Sequence, residues 1–157
     1  IGIQNYTREM ISHAYLVPYL QAKIVKANKR KVPATLMNWE IYPESIYMML
    51  KKYSAYENIK NIVITENGAA FKDHLINDEV KDIYRTRFLQ DHIKQIGRAK
   101  DEGVPVTGYF VWTFLDNFEW AEGYFPRFGL VHVDFKSQKR TIKNSGYWYK
   151  QFLSDEL

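Results

Sequence analysis

Apolar and polar positions along the chain follow two patterns in turn. Short apolar runs lead into polar residues at three places: IGIQNYT at residues 1–7, NIVITE at 61–66 and VPVTGYFVWTFLD at 104–116. Runs of this length, rich in Ile, Val and Phe, predict strands. After each, apolar residues recur at helical spacing. In YPESIYMMLKKYSAY, residues 42–56, Ile46, Met49, Leu50 and Tyr53 form one stripe, and Pro43 suits a first helical position. Residues 78–103 predict the longest helix, with Asp78 as N-cap and Gly103 at its end. Its apolar face would hold Val80, Ile83, Tyr84, Phe88, Ile93 and Ile96, and His92 beside that face reads as a packed structural histidine. NSGYWYKQFLSDE, residues 144–156, predicts the last helix. Residues 8–40 read as irregular, the segment after Glu66 as an Asn-Gly turn and polar loop, and FGLVHVDF, 128–135, as a short hairpin-like piece.

The order is strand, helix, strand, helix, strand, helix. Alternation of this kind predicts parallel strands with helices packed outside them. Three units do not close a barrel, which needs eight units and about 250 residues. Three open parallel strands would also leave unpaired edges. The expected fold class is therefore α/β, the C-terminal three strand–helix units of a (β/α)8 barrel, with residues 1–157 forming one part of a single barrel domain.

Composition sharpens this picture only in places. A hydrophobic content of 46% in 157 residues predicts a real core and one domain. The net charge of +4 is modest, and much of it sits in the run from Lys23 to Lys31, which reads as a solvated loop. No nucleic-acid partner is expected, because no binding motif accompanies that run. The absence of cysteine excludes disulfides and thiolate metal sites. No apolar run approaches the ~20 residues that span a bilayer, so no membrane partner is expected. No signal peptide is visible, and a cytoplasmic location is the expectation, although the chain starts at Ile1 without Met.

Aromatic residues are abundant at 16%, and their placement matters more than their number. Function in a parallel barrel gathers at the C-terminal ends of its strands. The second such end carries Glu66. Spacing alone leaves two readings open there: a strand emerging into solvent, or a carboxylate held for catalysis on a rigid platform. The third end carries Trp112, Phe114, Phe118, Trp120, Tyr124, Phe125 and Phe128 within 17 residues, interleaved with Asp116, Glu119 and Glu122. Carbohydrate recognition needs both kinds of group. A pyranose face stacks on aromatic rings, and its hydroxyls make charge-assisted hydrogen bonds to carboxylates.

VITENGAA and GYFVWTFLDNFEWAEGYFPRFGLVHVDF, with IGIQNYTR and NWEIYPESIY before them, strongly resemble the family 1 glycoside hydrolases, the β-glucosidase and β-galactosidase family. The resemblance runs in order over nearly the whole chain. It implies that Glu66 is the nucleophile of a retaining mechanism and that Tyr6 donates a hydrogen bond to it. It implies that Trp112 underlies the glycone, that Glu119 takes two sugar hydroxyls and that Trp120 contacts another through its indole N–H. Phe128 would pack near the C6 group, and Trp39 would line the aglycone side. Asp116, Asn117 and Arg127 read as loop-shaping hydrogen-bonders. Tyr6, Phe128 and Trp39 could also be packing residues only. Glu122 stays between the two readings.

The resemblance also implies what is missing. The family's acid/base glutamate sits in an Asn-Glu-Pro motif, and this chain contains none. The isolated chain is therefore expected to be inactive, and the remaining N-terminal part of the barrel is an expected partner. Phospho-specific members carry Ser where Glu119 stands and a Lys-x-Tyr pattern that FPRF lacks. An unphosphorylated β-linked glucoside or short oligosaccharide is the expected ligand, with no metal or organic cofactor. The rival readings are a non-catalytic sugar-binding fragment and a split-barrel piece that needs a partner.

Overall fold

The computed structural model describes residues 1–155. Three strands form a parallel sheet in the order β1 (Gly2–Gln4), β4 (Ile62–Asn67), β7 (Val106–Val111). Each is followed by a helix: α2 (Glu44–Ser54), α3 (Ile83–Asp101) and α4 (Asn144–Asp155). The alternation read from the sequence is thus the observed architecture. Ile3 lies opposite Ile64, and Ile64 opposite Tyr109. Ile3, Ile62 and Ile64 pack against Ile46 and Leu50 of α2 and Ile96 and Ala99 of α3 in one core. Ala69, Phe88, Leu89 and Leu130 form a second core beneath the loops.

The segments between these units are more ordered than their sequences suggest. Residues 8–40, expected to be irregular, contain an antiparallel hairpin of β2 (Ile11–His13) and β3 (Ala22–Ile24), then a single helical turn, α1 (Ala27–Arg30). The polar loop after β4 contains a second hairpin, β5 (Leu75–Ile76) and β6 (Glu79–Val80). The piece at 128–135 is indeed one arm of a hairpin, with β8 (Val131–Val133) paired to β9 (Arg140–Ile142).

The start of α3 is corrected by the β5–β6 hairpin. Asp78 does not cap the helix. It and Asn77 both have positive φ and form the hairpin turn, and Asp82 stands at the cap position. Val80 is buried from β6, while Ile83 and Tyr84 face solvent. The face that α3 buries consists of Arg85, Phe88, Leu89, His92, Ile96 and Ala99. His92 stacks on Phe88 at 3.9 Å, and its Nδ1 lies 2.8 Å from the Phe88 carbonyl. Burial pulls its pKa down to about 4, so it is a neutral packed residue, as expected. Glu156, the last residue of the expected final helix, lies outside the described residues.

A buried ion network joins the loops to the helices. Lys143 at the start of α4 pairs with Asp73 and Asp116, Arg85 with Asp73 and Asp82, and Arg127 with Asp116. Three acids balance three bases. Lys143, Asp73 and Asp116 have side chains with no exposed surface. Removing one member leaves its partners charged and dry, at a cost of about 3–5 kcal/mol. Lys143→Met is therefore expected to lower stability by about that amount, seen as a fall in the urea midpoint. A midpoint equal to the parent's would show that the network contributes nothing net.

Candidate active site

Glu66 owes its position to an irregularity in the sheet. Strict alternation would put Ile62, Ile64 and Glu66 on one face, the face that packs on the helices. Instead, beyond Ile64, β4 carries one extra residue relative to both neighbours. Ile3 pairs with Ile64 but Gln4 with Glu66, and Ile64 pairs with Tyr109 but Asn67 with Val111. Such a bulge re-aims the residues beyond it. Asn67, fully buried, takes the helix-facing side, and Glu66 is half-buried on the other.

Asn67 fixes this arrangement from below. Its Nδ2 donates to the carbonyl of Asn5 at 2.6 Å, and its Oδ1 accepts from the Tyr109 hydroxyl at 2.8 Å. The amide N–H of Asn5 donates to the Glu66 carbonyl at 3.0 Å. All three strands therefore converge directly beneath the carboxylate. Asn67-Gly68 is not the expected turn: Asn67 still belongs to β4, and Gly68 does not have positive φ. Gly68 is required for another reason. A Cβ there would lie 1.8 Å from the Trp112 carbonyl oxygen, so the two backbones touch.

Tyr6 and Glu66 meet as expected. The Tyr6 hydroxyl donates to Glu66 Oε2 at 2.6 Å. Oε1 accepts no hydrogen bond from the described residues. Burial, then the hydrogen bond and charge of Glu66, and finally the charge of Glu119 push the Tyr6 phenol well above its ordinary range. It stays a donor at any physiological pH. The Tyr6 ring lies 5.4 Å from Trp39 and 6.4 Å from Phe128, and Trp39 lies 6.1 Å from Phe128. Phe128 is only 2% exposed and backs the other two rings. Trp39 and Tyr6 keep part of their surface open.

The other wall of the site comes from the loop after β7. Trp112 Nε1 donates to Glu119 Oε1 at 3.2 Å. Burial first, and then the nearby charge of Glu66, raise the Glu119 pKa against that hydrogen bond. The charges of Glu66 and Glu119 both act on the Tyr6 phenol, and that of Glu66 acts on Glu119, so the three groups are neighbours. Trp120 begins a 3₁₀ turn, Trp120–Glu122, and is 87% exposed. It shares the loop with Glu119 and, among the described residues, makes no hydrogen bond or ring pair with Trp112 or Glu66. Asp116 and Arg127 shape the loop as expected. Asp116 accepts from the Gly129 amide at 2.9 Å and from Arg127 at 3.0 Å. Asn117 Oδ1 is buried and without a partner among the described residues.

Glu40 was not singled out by the sequence. It is 4% exposed and is held by Arg8 through two bonds of 2.9 Å and by Arg30 at 2.7 Å. Arg8 and Arg30 hold its pKa down at about 2. The signal available was a carboxylate directly after Trp39, with Arg8 and Arg30 both earlier in the chain. Among the described residues no three His, Cys, Asp or Glu side chains converge as a metal site requires, and no helix is long and apolar enough to cross a membrane.

Comparison with known proteins identifies the family. The family model for glycosyl hydrolase family 1 matches residues 1–156. Beta-glucosidase A of Thermotoga maritima is 47% identical over 156 residues, covering 99% of this chain and 34% of the relative. A 6-phospho-beta-galactosidase of Clostridium acetobutylicum is 42% identical over 127 residues, covering 80% of this chain and 27% of the relative. The solved structure of the Thermotoga maritima family 1 β-glucosidase superposes with a TM-score of 0.91 at 46% identity, over 98% of this chain and 34% of that one. The same enzyme is also known in complex with glucoimidazole. The chain thus spans about a third of the length of the relatives it matches. Its fold is that of the C-terminal three strand–helix units of their (β/α)8 barrel, and the chain belongs to glycosyl hydrolase family 1.

Proposed function

We propose that this chain is the C-terminal part of a single-domain retaining β-glycosidase that hydrolyses unphosphorylated β-D-glycosides, glucosides first among them. The observation that carries the reading is the 2.6 Å hydrogen bond from Tyr6 to Glu66 Oε2, which leaves Oε1 free at the C-terminal end of a parallel strand. In the first step Oε1 attacks the anomeric carbon as the bond to the aglycone breaks. The leaving oxygen takes its proton from an acid outside this chain. A covalent glycosyl-enzyme results. In the second step that outside residue deprotonates water, which attacks the same carbon and frees Glu66. Retaining chemistry of this kind needs the two carboxyl groups ~5–5.5 Å apart, so the rest of the barrel must supply the acid.

The other residues bind. Trp112 underlies the glycone, and Glu119, held by the Trp112 indole, takes two hydroxyls. Trp120, exposed and with its N–H unengaged by the described residues, takes a third. Phe128 backs the site near C6, and Trp39 lines the aglycone side. Complexes of the Thermotoga maritima enzyme with glucose-like inhibitors support a glucoside as the ligand.

A 6-phosphoglycoside is the second reading, favoured by the identity to the 6-phospho-beta-galactosidase. A carboxylate at position 119 argues against it, since it and a sugar phosphate carry like charges and repel. The test uses the full-length protein that carries this sequence. A slow, 2-fluorinated β-glucoside should leave a covalent sugar on the peptide containing Glu66. 4-Nitrophenyl β-glucoside should turn over at least about tenfold better than its 6-phosphate, a margin of ~1.4 kcal/mol. A label on another residue, or preference for the phosphate, would defeat the proposal.

A further inference from the structure

We infer that Glu40 is a positioning residue for the aglycone side of the site, which rests on the glycosidase reading above. Its carboxylate is shared by two segments, the loop after β1 and α1. Arg8, from the loop after β1, grips it with Nε and Nη2, each at 2.9 Å, and lies flat over the Tyr42 ring at 3.5 Å. Arg30, from α1, reaches Oε2 with one nitrogen at 2.7 Å and ties its Nε to the Val25 carbonyl at 3.1 Å. The Thr7 hydroxyl donates to the Glu40 carbonyl at 3.0 Å. The residue is therefore held at both its backbone and its side chain.

The neighbours of these residues give the clamp its consequence. Tyr6 precedes Thr7 and Arg8, and Trp39 precedes Glu40. The two rings meet at 5.4 Å. Trp39 also closes a turn through the Thr35 amide, which donates to its carbonyl at 2.9 Å. A cavity of about 210 Å³ lies alongside, bordered by Trp39, Glu40, Arg8 and Arg30. Trp39 has to be kept from swinging into that space. The paired arginines do so by anchoring the next residue to the Tyr6 loop. Without the Glu40 charge, two guanidinium groups face each other half-buried, and the clamp becomes a repulsion.

The experiment compares two substrates of the full-length enzyme that share a glycone. 4-Nitrophenyl β-glucoside has a ring to stack on Trp39, and β-glucosyl fluoride has a leaving group too small to reach it. Glu40→Gln should lower kcat/KM for the aryl glucoside about tenfold, chiefly through KM, and change the fluoride by less than about twofold. In a Trp39→Ala background Glu40→Gln should alter the ratio of the two by less than about twofold, since the effect runs through Trp39. Arg30→Gln, which keeps the Arg8 fork, should shift the ratio in the same direction by a smaller factor. It serves in place of Glu40→Gln if that variant does not fold. Equal losses on both substrates, or an unchanged ratio, would show that Glu40 only supports the fold. A parent enzyme that cleaves neither glucoside would instead overturn the glycosidase reading itself.

Discussion

Glu66→Gln in the full-length enzyme lowers β-glucoside turnover roughly 10⁴–10⁶-fold, the loss seen when a covalent nucleophile is removed. The amide keeps the shape of the carboxylate and can still accept the Tyr6 hydrogen bond, but its oxygen is too weak a nucleophile to displace an aglycone. The local fold should survive, because Glu66 contributes through its backbone carbonyl to Asn5 and through Oε2 to Tyr6, and both partners remain. The melting temperature should shift by no more than about 2 °C, since ~1 kcal/mol moves the midpoint of a protein this large by no more than that. The measurement is steady-state hydrolysis of an aryl β-glucoside beside a thermal melt. The 157-residue chain alone should show no turnover in the same assay, since no Asn-Glu-Pro occurs in it. Retained activity in Glu66→Gln would return this residue to a solvent-facing strand end, and full activity of the isolated chain would place the acid within it.

What could be seen in the sequence follows the range over which each pattern acts. Ile46, Leu50 and Ile96 repeat at helical spacing because each helix lays one face on the sheet, and the observed core contains all three. The three parallel strands were legible for the same reason. The bulge in β4 was not, because it exists only as a register between strands distant in sequence. Periodicity along one strand places Glu66 beside Ile64, and only the neighbours show that it turns away. The buried network was hidden in the same manner. Asp73, Asp82 and Lys143 look like surface charges until the fold brings them together. The start of α3 was a different case. Asn77-Asp78, both of which adopt positive φ, is a residue pair suited to a two-residue hairpin turn, and the signal stood in the sequence beside a competing N-cap pattern.

The tightest constraint on the site lies in a residue without a side chain. Gly68→Ala is expected to lower kcat/KM by about 10²-fold or more, the effect of moving a binding group by ~1 Å. An added Cβ would lie 1.8 Å from the Trp112 carbonyl oxygen and 2.8 Å from its carbon. Both obstructing atoms are backbone, so no rotamer change relieves the clash. Yielding on the Trp112 side breaks the 2.9 Å bond from the Trp112 amide to the Asn67 carbonyl and moves the indole that holds Glu119. Yielding on the Gly68 side pulls on Asn67, which carries the hydrogen bonds beneath Glu66. Either response separates the attacking carboxylate from the surface that supports the sugar. Gly97 is the control. It lies within α3, and a methyl group added there would meet nothing within 4 Å, so Gly97→Ala should leave activity unchanged and stabilise the helix by up to ~1 kcal/mol. Indistinguishable kcat/KM values for the two alanine variants would mean that the contact between Gly68 and Trp112 does not set the geometry of the site.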